Sequence, residues 1–321
     1  MQVVYTPQGS EHVEHAVELW KSHFDDLKEM YATSGEHPAD QVLTRIFAMV
    51  TRYDSISEDK SANQAALPRP MMRTLQDRLG VDFECYASPL NRYKHFSMFC
   101  SAWFDTDRYF GSVGAFQSFR PQSGSFEANP PFDNASVCAC FQHISQLLGA
   151  ADGPMSYVVV IPTMDHSPSL GAAYATCAPY AVRTAAVPSG QHAYLMGLQH
   201  RRTGVGGGEE YWWPEKGSQI YFLQNELGSA RWPVTEAVIA ELLAAFDPRS
   251  AAFNVTKPLP HDHDAPGYYG DGGGYYHDAN DLSARGDAYG EGIQYESDGS
   301  LDLEEMMNIA ACDRLDQLSL V

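Results

Sequence analysis

Five consecutive apolar residues, Tyr157-Val158-Val159-Val160-Ile161, stopped by Pro162, do most to limit what this chain can become. A run of that kind suits a strand buried on both faces in the middle of a parallel sheet, since helices must then cover each side. Ile220-Tyr221-Phe222-Leu223 repeats the type, and Val81-Asp82-Phe83-Glu84-Cys85-Tyr86 reads as a further strand. Helices are expected between them. One runs from about Met71 to Leu79 and stops at Gly80, one carries Val137, Cys140, Phe141, Ile144 and Leu148 and ends at Gly149, and Thr235 caps another that Asp247-Pro248 closes at Phe246. Strands alternating with helices place the chain in the α/β class with a doubly wound sheet, whose ligands bind beyond the carboxyl ends of the strands. Asn129 follows Ser125-Phe126-Glu127-Ala128 and is expected at such an end.

Outside that core the pattern changes. Val13, Ala16, Val17, Trp20, Phe24, Leu27 and Tyr31, then Val42, Ile46, Phe47, Val50 and Tyr53, repeat near the helical period, so residues 1–66 read as a helical segment preceding a domain at 67–250. Residues 251–321 are rich in Gly, Tyr, Asp and Pro, as in Gly267-Tyr268-Tyr269-Gly270-Asp271-Gly272, and read as a disordered acidic tail holding one short amphipathic piece, Leu301 to Ile309.

The formal net charge is -20, which opposes phosphate binding. Fourteen acidic and two basic residues lie between His261 and Val321, so twelve of those negative charges belong to that stretch. Any nucleic-acid site must therefore be a local basic pocket, for which Arg92, Lys94, Arg183, His192, Arg201, Arg202 and Lys216 are the available side chains. No stretch approaches the roughly 20 apolar residues that cross a bilayer, so no membrane is expected. The six cysteines have neither zinc-site spacing nor the density of a disulfide scaffold and read as buried thiols.

Asn129-Pro130-Pro131-Phe132 carries the clearest chemistry. An exocyclic base amine is a poor nucleophile because its lone pair is delocalised into the ring. The Asn129 side-chain oxygen and the Pro130 carbonyl can accept its hydrogens, and Phe132 offers a face on which a flipped base can stack. A tight turn between strand and helix uses the same residues, so the tetrapeptide alone leaves both meanings open.

Its surroundings decide between them. The segment from Leu67-Pro68 to Asn91, the segment Phe104 to Ser112, and Gly124-Ser125-Phe126-Glu127-Ala128-Asn129-Pro130-Pro131-Phe132 strongly resemble the phosphorylated CTD-interacting factor family of cap-specific adenosine N6-methyltransferases. Weaker likeness continues through Tyr157 to Pro162, Gln199-His200, Phe222 to Asn225, and Trp232. The resemblance implies a Rossmann-like domain behind a helical segment, S-adenosylmethionine as cofactor, capped mRNA beginning with 2'-O-methyladenosine as substrate, and a nuclear location. It also implies that Asn129, Pro130, Pro131 and Phe132 hold the base, and that Glu84, Ala87, Ser88 and Asn91 lie beside the cofactor, with Asp105 and Asp107 as lesser candidates. Asp133, His192, Gln199, His200 and Arg201 are expected to meet the RNA. Other adenine-containing RNA or DNA is the alternative substrate, and a binding relative without turnover is the alternative function.

Three departures from the family pattern stand out. Asp133-Asn134 replaces its acidic residue after the tetrapeptide, Thr163-Met164-Asp165-His166 replaces its Trp-Arg pair, and no WW module is legible, so docking on the RNA polymerase II tail is unsupported. His261-Asp262-His263-Asp264 has metal-ligand residue types but lies in the expected tail, so no metal site is expected there, and Gly204 to Gly208 reads as an insertion rather than a phosphate loop.

Overall fold

The computed structural model describes residues 2–5, 15–56, 64–96, 98–197, 200, 211–251 and 318–320. The chain opens with strands β1 (Gln2–Tyr5) and β2 (His15–Glu18), followed by helices α1 (Lys21–Thr33) and α2 (Val42–Ile56). Then come α3 (Arg69–Leu79), β3 (Phe83–Glu84), the single turn α4 (Phe104–Asp107), β4 (Gly124–Ala128), α5 (Asn134–Ala150) and β5 (Met155–Pro162). The second half contains α6 (Pro168–Cys177), β6 (Ala181–Val187), the short pair β7 (Tyr194–Leu195) and β8 (Tyr211–Trp212), β9 (Ser218–Gln224), α7 (Glu226–Arg231), α8 (Glu236–Phe246) and β10 (Leu318–Leu320).

Local chemistry sets many of these bounds. Gly80 ends α3 in the left-handed region at φ 63°, where its amide bonds back to Gln76 and Leu75, and Trp232 lies so close that a Cβ there would collide with the indole. Asp133, Ser167, Asn225 and Thr235 cap α5, α6, α7 and α8 by accepting from backbone amides of the first turn.

The five-stranded sheet runs in the order β3-β4-β5-β9-β6. Every residue of β5 is buried, as the apolar run requires. One side of the sheet packs on α3 and α8 through Met71, Leu75, Val158, Val160, Ile220 and Leu242. The other packs on α5 and α6 through Phe126, Val137, Ile144, Val159, Ile161 and Ala173. Alternating β5 side chains thus serve both cores.

Three expectations need correction. The sheet is mixed: β3, β4 and β5 are parallel, but β9 is antiparallel to both β5 and β6. An apolar run reports burial on two faces and is silent on strand direction, which the connections decide. The first 66 residues are not purely helical, because His15–Glu18, placed in the helical period by Ala16 and Val17, pair as β2 with β1. Nor is the tail wholly without structure. Leu318–Leu320 pair antiparallel with Val3 to Tyr5, closing a three-stranded sheet of order β10-β1-β2 against α2. Residues 252–317, including Leu301 to Ile309 and His261 to Asp264, lie outside the described residues, as does Gly204 to Gly208. The third apolar cluster, with Phe24, Leu27, Ile46, Phe47, Val50, Phe99 and Phe110, joins α1 and α2 to the loops after β3.

No described helix is long and apolar enough to cross a membrane. Among the described residues no three His, Cys, Asp or Glu side chains are grouped to hold a metal.

Candidate active site

The parallel strands β3 and β4 end side by side, and their loops build the site. Asn129 is half-buried one residue beyond β4. Its Nδ2 donates to the Ala65 carbonyl at 2.9 Å, which fixes the amide plane and turns Oδ1 the other way. That oxygen is buried and has no hydrogen-bond partner among the described residues. Buried amide oxygens are rarely left so, because desolvation without a hydrogen bond costs about 1–3 kcal/mol. Pro131 O takes the Asp133 amide at 2.9 Å, while among the described residues no backbone amide donates to the Pro130 carbonyl. Two acceptors are thereby free at consecutive positions.

Phe132 is half-buried and leans on aromatic neighbours. Its ring stacks on Trp212 at 5.7 Å and 22°, and meets Tyr194 edge-on at 5.4 Å. Trp212 and Tyr194 went unnoticed in the sequence because nothing local links them to residue 132. Both come from the β7–β8 pair, far along the chain.

On the other side of Asn129 lies the loop after β3. Ser88 and Asn91 lock each other: Asn91 Oδ1 accepts from the Ser88 amide at 2.7 Å and the Ser88 hydroxyl at 2.9 Å, and the Asn91 amide donates to Ser88 Oγ at 3.2 Å. Asn91 Nδ2 donates to the Gln64 carbonyl at 3.0 Å. Successive carbonyls, Gln64 and Ala65, therefore hold Asn91 and Asn129. Gln64, at φ 59°, is the one described non-glycine residue with positive φ. Ala87 donates its amide to Cys100 O at 2.9 Å.

Glu84 is buried, and its Oε2 accepts from the Tyr93 amide at 2.6 Å. Burial pushes its carboxyl up to about 7, against the pull of the Tyr93 amide and Arg92. Beside it in the ladder is Glu127, also buried, whose Oε1 has no hydrogen-bond partner among the described residues. Burial, then the neighbouring Glu84, pushes Glu127 well above the usual carboxylate range. The sequence carried a signal for Glu127 that went unused: a lone carboxylate between Phe126 and Ala128 in an otherwise apolar strand. The unpartnered acceptors on Asn129 and Glu127, with the small Ala87 and Ser88 nearby in the loop, fit a ligand bearing amine, ammonium or hydroxyl donors, as S-adenosylmethionine does.

The other anticipated residues fall elsewhere. Asp105 is exposed and forms a forked ion pair with Arg52 at 2.7 Å. Asp107 is fully buried and accepts from Tyr53 OH at 2.6 Å. Asp133 is the α5 cap; slight burial opposes its ionisation, but the Ser136 and Ala135 amides outweigh it and hold the carboxyl below its usual range. His192 is buried against Phe246 and bonds Ser218 Oγ at 2.7 Å, and burial lowers it to about 4, so it packs the core beside Tyr194. His200 is also buried, with Nε2 at 3.1 Å from Asp54. Gln199, Arg201 and Arg202 lie outside the described residues. Lys216, Arg183 and Arg92 sit beside Asp165, Glu236 and Asp26.

Residues 26–197 match the family model described as the phosphorylated CTD interacting factor 1 WW domain. The chain belongs to this family. The description qualifies the expectation that nothing here relates to a WW module, although the matched span holds helices and the parallel strands of the large sheet. The mRNA (2'-O-methyladenosine-N(6)-)-methyltransferases of Mus musculus and Homo sapiens are 34% and 33% identical over 236 residues, 72% of this chain. The chain spans about a third of their length, 33% of each. A solved S-adenosylmethionine-dependent O-methyltransferase from Thermotoga maritima is 9% identical, with a TM-score of 0.25 over 70% of this chain and 92% of that one, too slight a likeness to argue from.

Proposed function

We propose that this chain is an S-adenosylmethionine-dependent methyltransferase that methylates N6 of the 2'-O-methyladenosine next to the cap of mRNA, using a Rossmann-like arrangement of β3, β4 and β5. The observation that carries this is the buried Asn129 oxygen with no partner, fixed by Ala65, directly before a free Pro130 carbonyl. Two acceptors one residue apart match the two hydrogens of an exocyclic amine. Accepting both draws the nitrogen lone pair out of ring conjugation and aims it. Phe132, braced by Trp212, holds the base flat by stacking. S-adenosylmethionine supplies a methyl group made electrophilic by the positive sulfur. Glu84, Glu127 and the loop from Ala87 to Asn91 hold that cofactor against the base. The names of the murine and human relatives support the substrate. A capped transcript as substrate supports a nuclear location, checked by imaging the tagged chain.

Labelled methyl transfer to capped RNA starting with 2'-O-methyladenosine, beside uncapped RNA and adenine-containing DNA, tests the proposal. Label should appear as N6-methylated nucleoside in the capped RNA. Asn129→Ala should lower turnover by about 10²–10³, the usual cost of one such acceptor or donor, while the chain still melts cooperatively. Wild-type turnover by that variant would sink the mechanism, and no transfer to any adenosine substrate would favour a binding relative.

A further inference from the structure

Glu84 and Glu127 are register partners on parallel strands, so both carboxyls project to the same side of the sheet. They are 6% and 1% exposed. Their surroundings differ. Glu84 has an amide donor in Tyr93 and feels Arg92, whose own charge is countered by Asp26 at 3.1 Å. Glu127 has no hydrogen-bond partner on Oε1 among the described residues. The next strand brings Val158 to its register, α3 and α8 bring apolar side chains to that side, and the Cys85 and Cys140 thiols and the Tyr194 phenol feel its charge. Two adjacent carboxyls in so dry a place cannot both ionise at neutral pH.

Building on the function proposed above, we propose that Glu84 and Glu127 carry one shared proton in the ligand-free protein, held on Glu127, and that the cationic methyl donor expels it. The pair then distinguishes the sulfonium donor from its neutral thioether product, because the ammonium and carboxylate that both ligands share cancel in the comparison. With the donor bound, the pair is doubly ionised beside a cation and the proton leaves to solvent. With the product bound, the added positive charge is missing and the proton stays. Glu84 is the first of the two to ionise, since it has the Tyr93 amide donor and Glu127 Oε1 has no partner among the described residues. Burial, then the neighbouring Glu84, raises the Glu127 carboxyl well above the usual carboxylate range, so Glu127 is the one that holds the proton.

Calorimetric titration of the full chain with donor and with thioether product, each in two buffers of different ionisation enthalpy, counts the protons released. The donor should release up to one proton and the product close to none. Donor affinity should then rise by up to about tenfold per pH unit around neutrality, while product affinity stays flat. Glu127→Gln should abolish both the release and the pH dependence of the donor-to-product preference. Equal release by the two ligands, or release unchanged in Glu127→Gln, overturns the shared proton. Failure of either ligand to bind overturns the methyl-transfer proposal instead. Infrared spectra of the ligand-free chain test the pair independently of any ligand: a buried protonated carboxyl band should be present in the wild type and absent in Glu127→Gln, and its absence from the wild type rejects the inference.

Discussion

Two fully buried carboxyls, Asp107 and Glu127, show how differently the region packed on α1 and α2 and the strand ends treat the same chemical group. Asp107 sits at the end of α4 and accepts from Tyr53 OH at 2.6 Å and Thr106 Oγ1 at 3.0 Å, so it fastens α2 to the loop after β3. Burial raises it, and its hydrogen bonds pull it back. Glu127 has an unpartnered oxygen and a second carboxyl as its register neighbour. A satisfied buried charge is a fastener whose loss is felt in stability. An unsatisfied one is stability forgone, and it persists where a ligand completes it.

That contrast can be broken most directly by stability measurements. Asp107→Ala removes the carboxylate that accepts from Tyr53 and Thr106 and should cost about 2–4 kcal/mol in denaturant unfolding, whereas Glu127→Gln puts a neutral amide of similar shape in place of a protonated carboxyl and should stay within about 1 kcal/mol of wild type. The reverse order would show that Glu127 is the fastener. Next in size is the base platform. Phe132→Leu should lower catalytic efficiency by about ten- to a hundredfold, the range for losing one stacked base, with little change in melting. Phe132→Trp keeps a ring face and should retain more activity, although its bulk presses on Trp212 and Tyr194. A Leu variant more active than the Trp variant would make residue 132 mere packing.

The pH dependence sharpens the same comparison. Because burial lifts Glu84 from 4.5 to about 7, its neutral form favours the folded state below about pH 4.5, and that contribution is lost as pH rises through about 7. Glu127→Gln should flatten this decline, read from melting temperatures across the range. An unchanged slope would show that the two carboxyls do not interact. The smallest effect belongs to the tail. Truncation after Arg249 removes β10, three residues on the edge of the β1–β2 sheet, and should cost about 1 kcal/mol or less, while reducing the salt sensitivity of RNA binding by deleting eleven net negative charges. A loss of several kcal/mol would show that the tail is integral to the β1–β2 sheet and the helices packed on it.

Much of the sheet was legible because its signals are local. The β5 run, the Gly80 stop and the Thr235 cap each lie within a few residues of what they determine. The Asn129 to Phe132 tetrapeptide was legible as a candidate for a similar reason, since its two acceptors and its ring are consecutive, and the family resemblance chose that reading over a plain turn. What remained hidden depends on separation along the chain. Trp212 braces Phe132 from eighty positions away, Gln64 and Ala65 hold Asn91 and Asn129 from different elements, and Leu318–Leu320 return to β1 across nearly the whole sequence.

Periodicity by itself determined that this chain has an α/β core with a buried central strand, and the family resemblance pointed to Asn129 to Phe132 as the candidate amine-binding residues. Only the tertiary structure decided that β9 runs antiparallel, that β2 is a strand within an apparently helical period, and that two glutamates forty-three residues apart become neighbours. The physical reason is that side-chain period and capping are properties of a single segment, whereas strand direction and register arise when segments meet. A shift of one residue between β3 and β4 would turn one of those carboxyls to the opposite face, and no pattern within either strand forbids it.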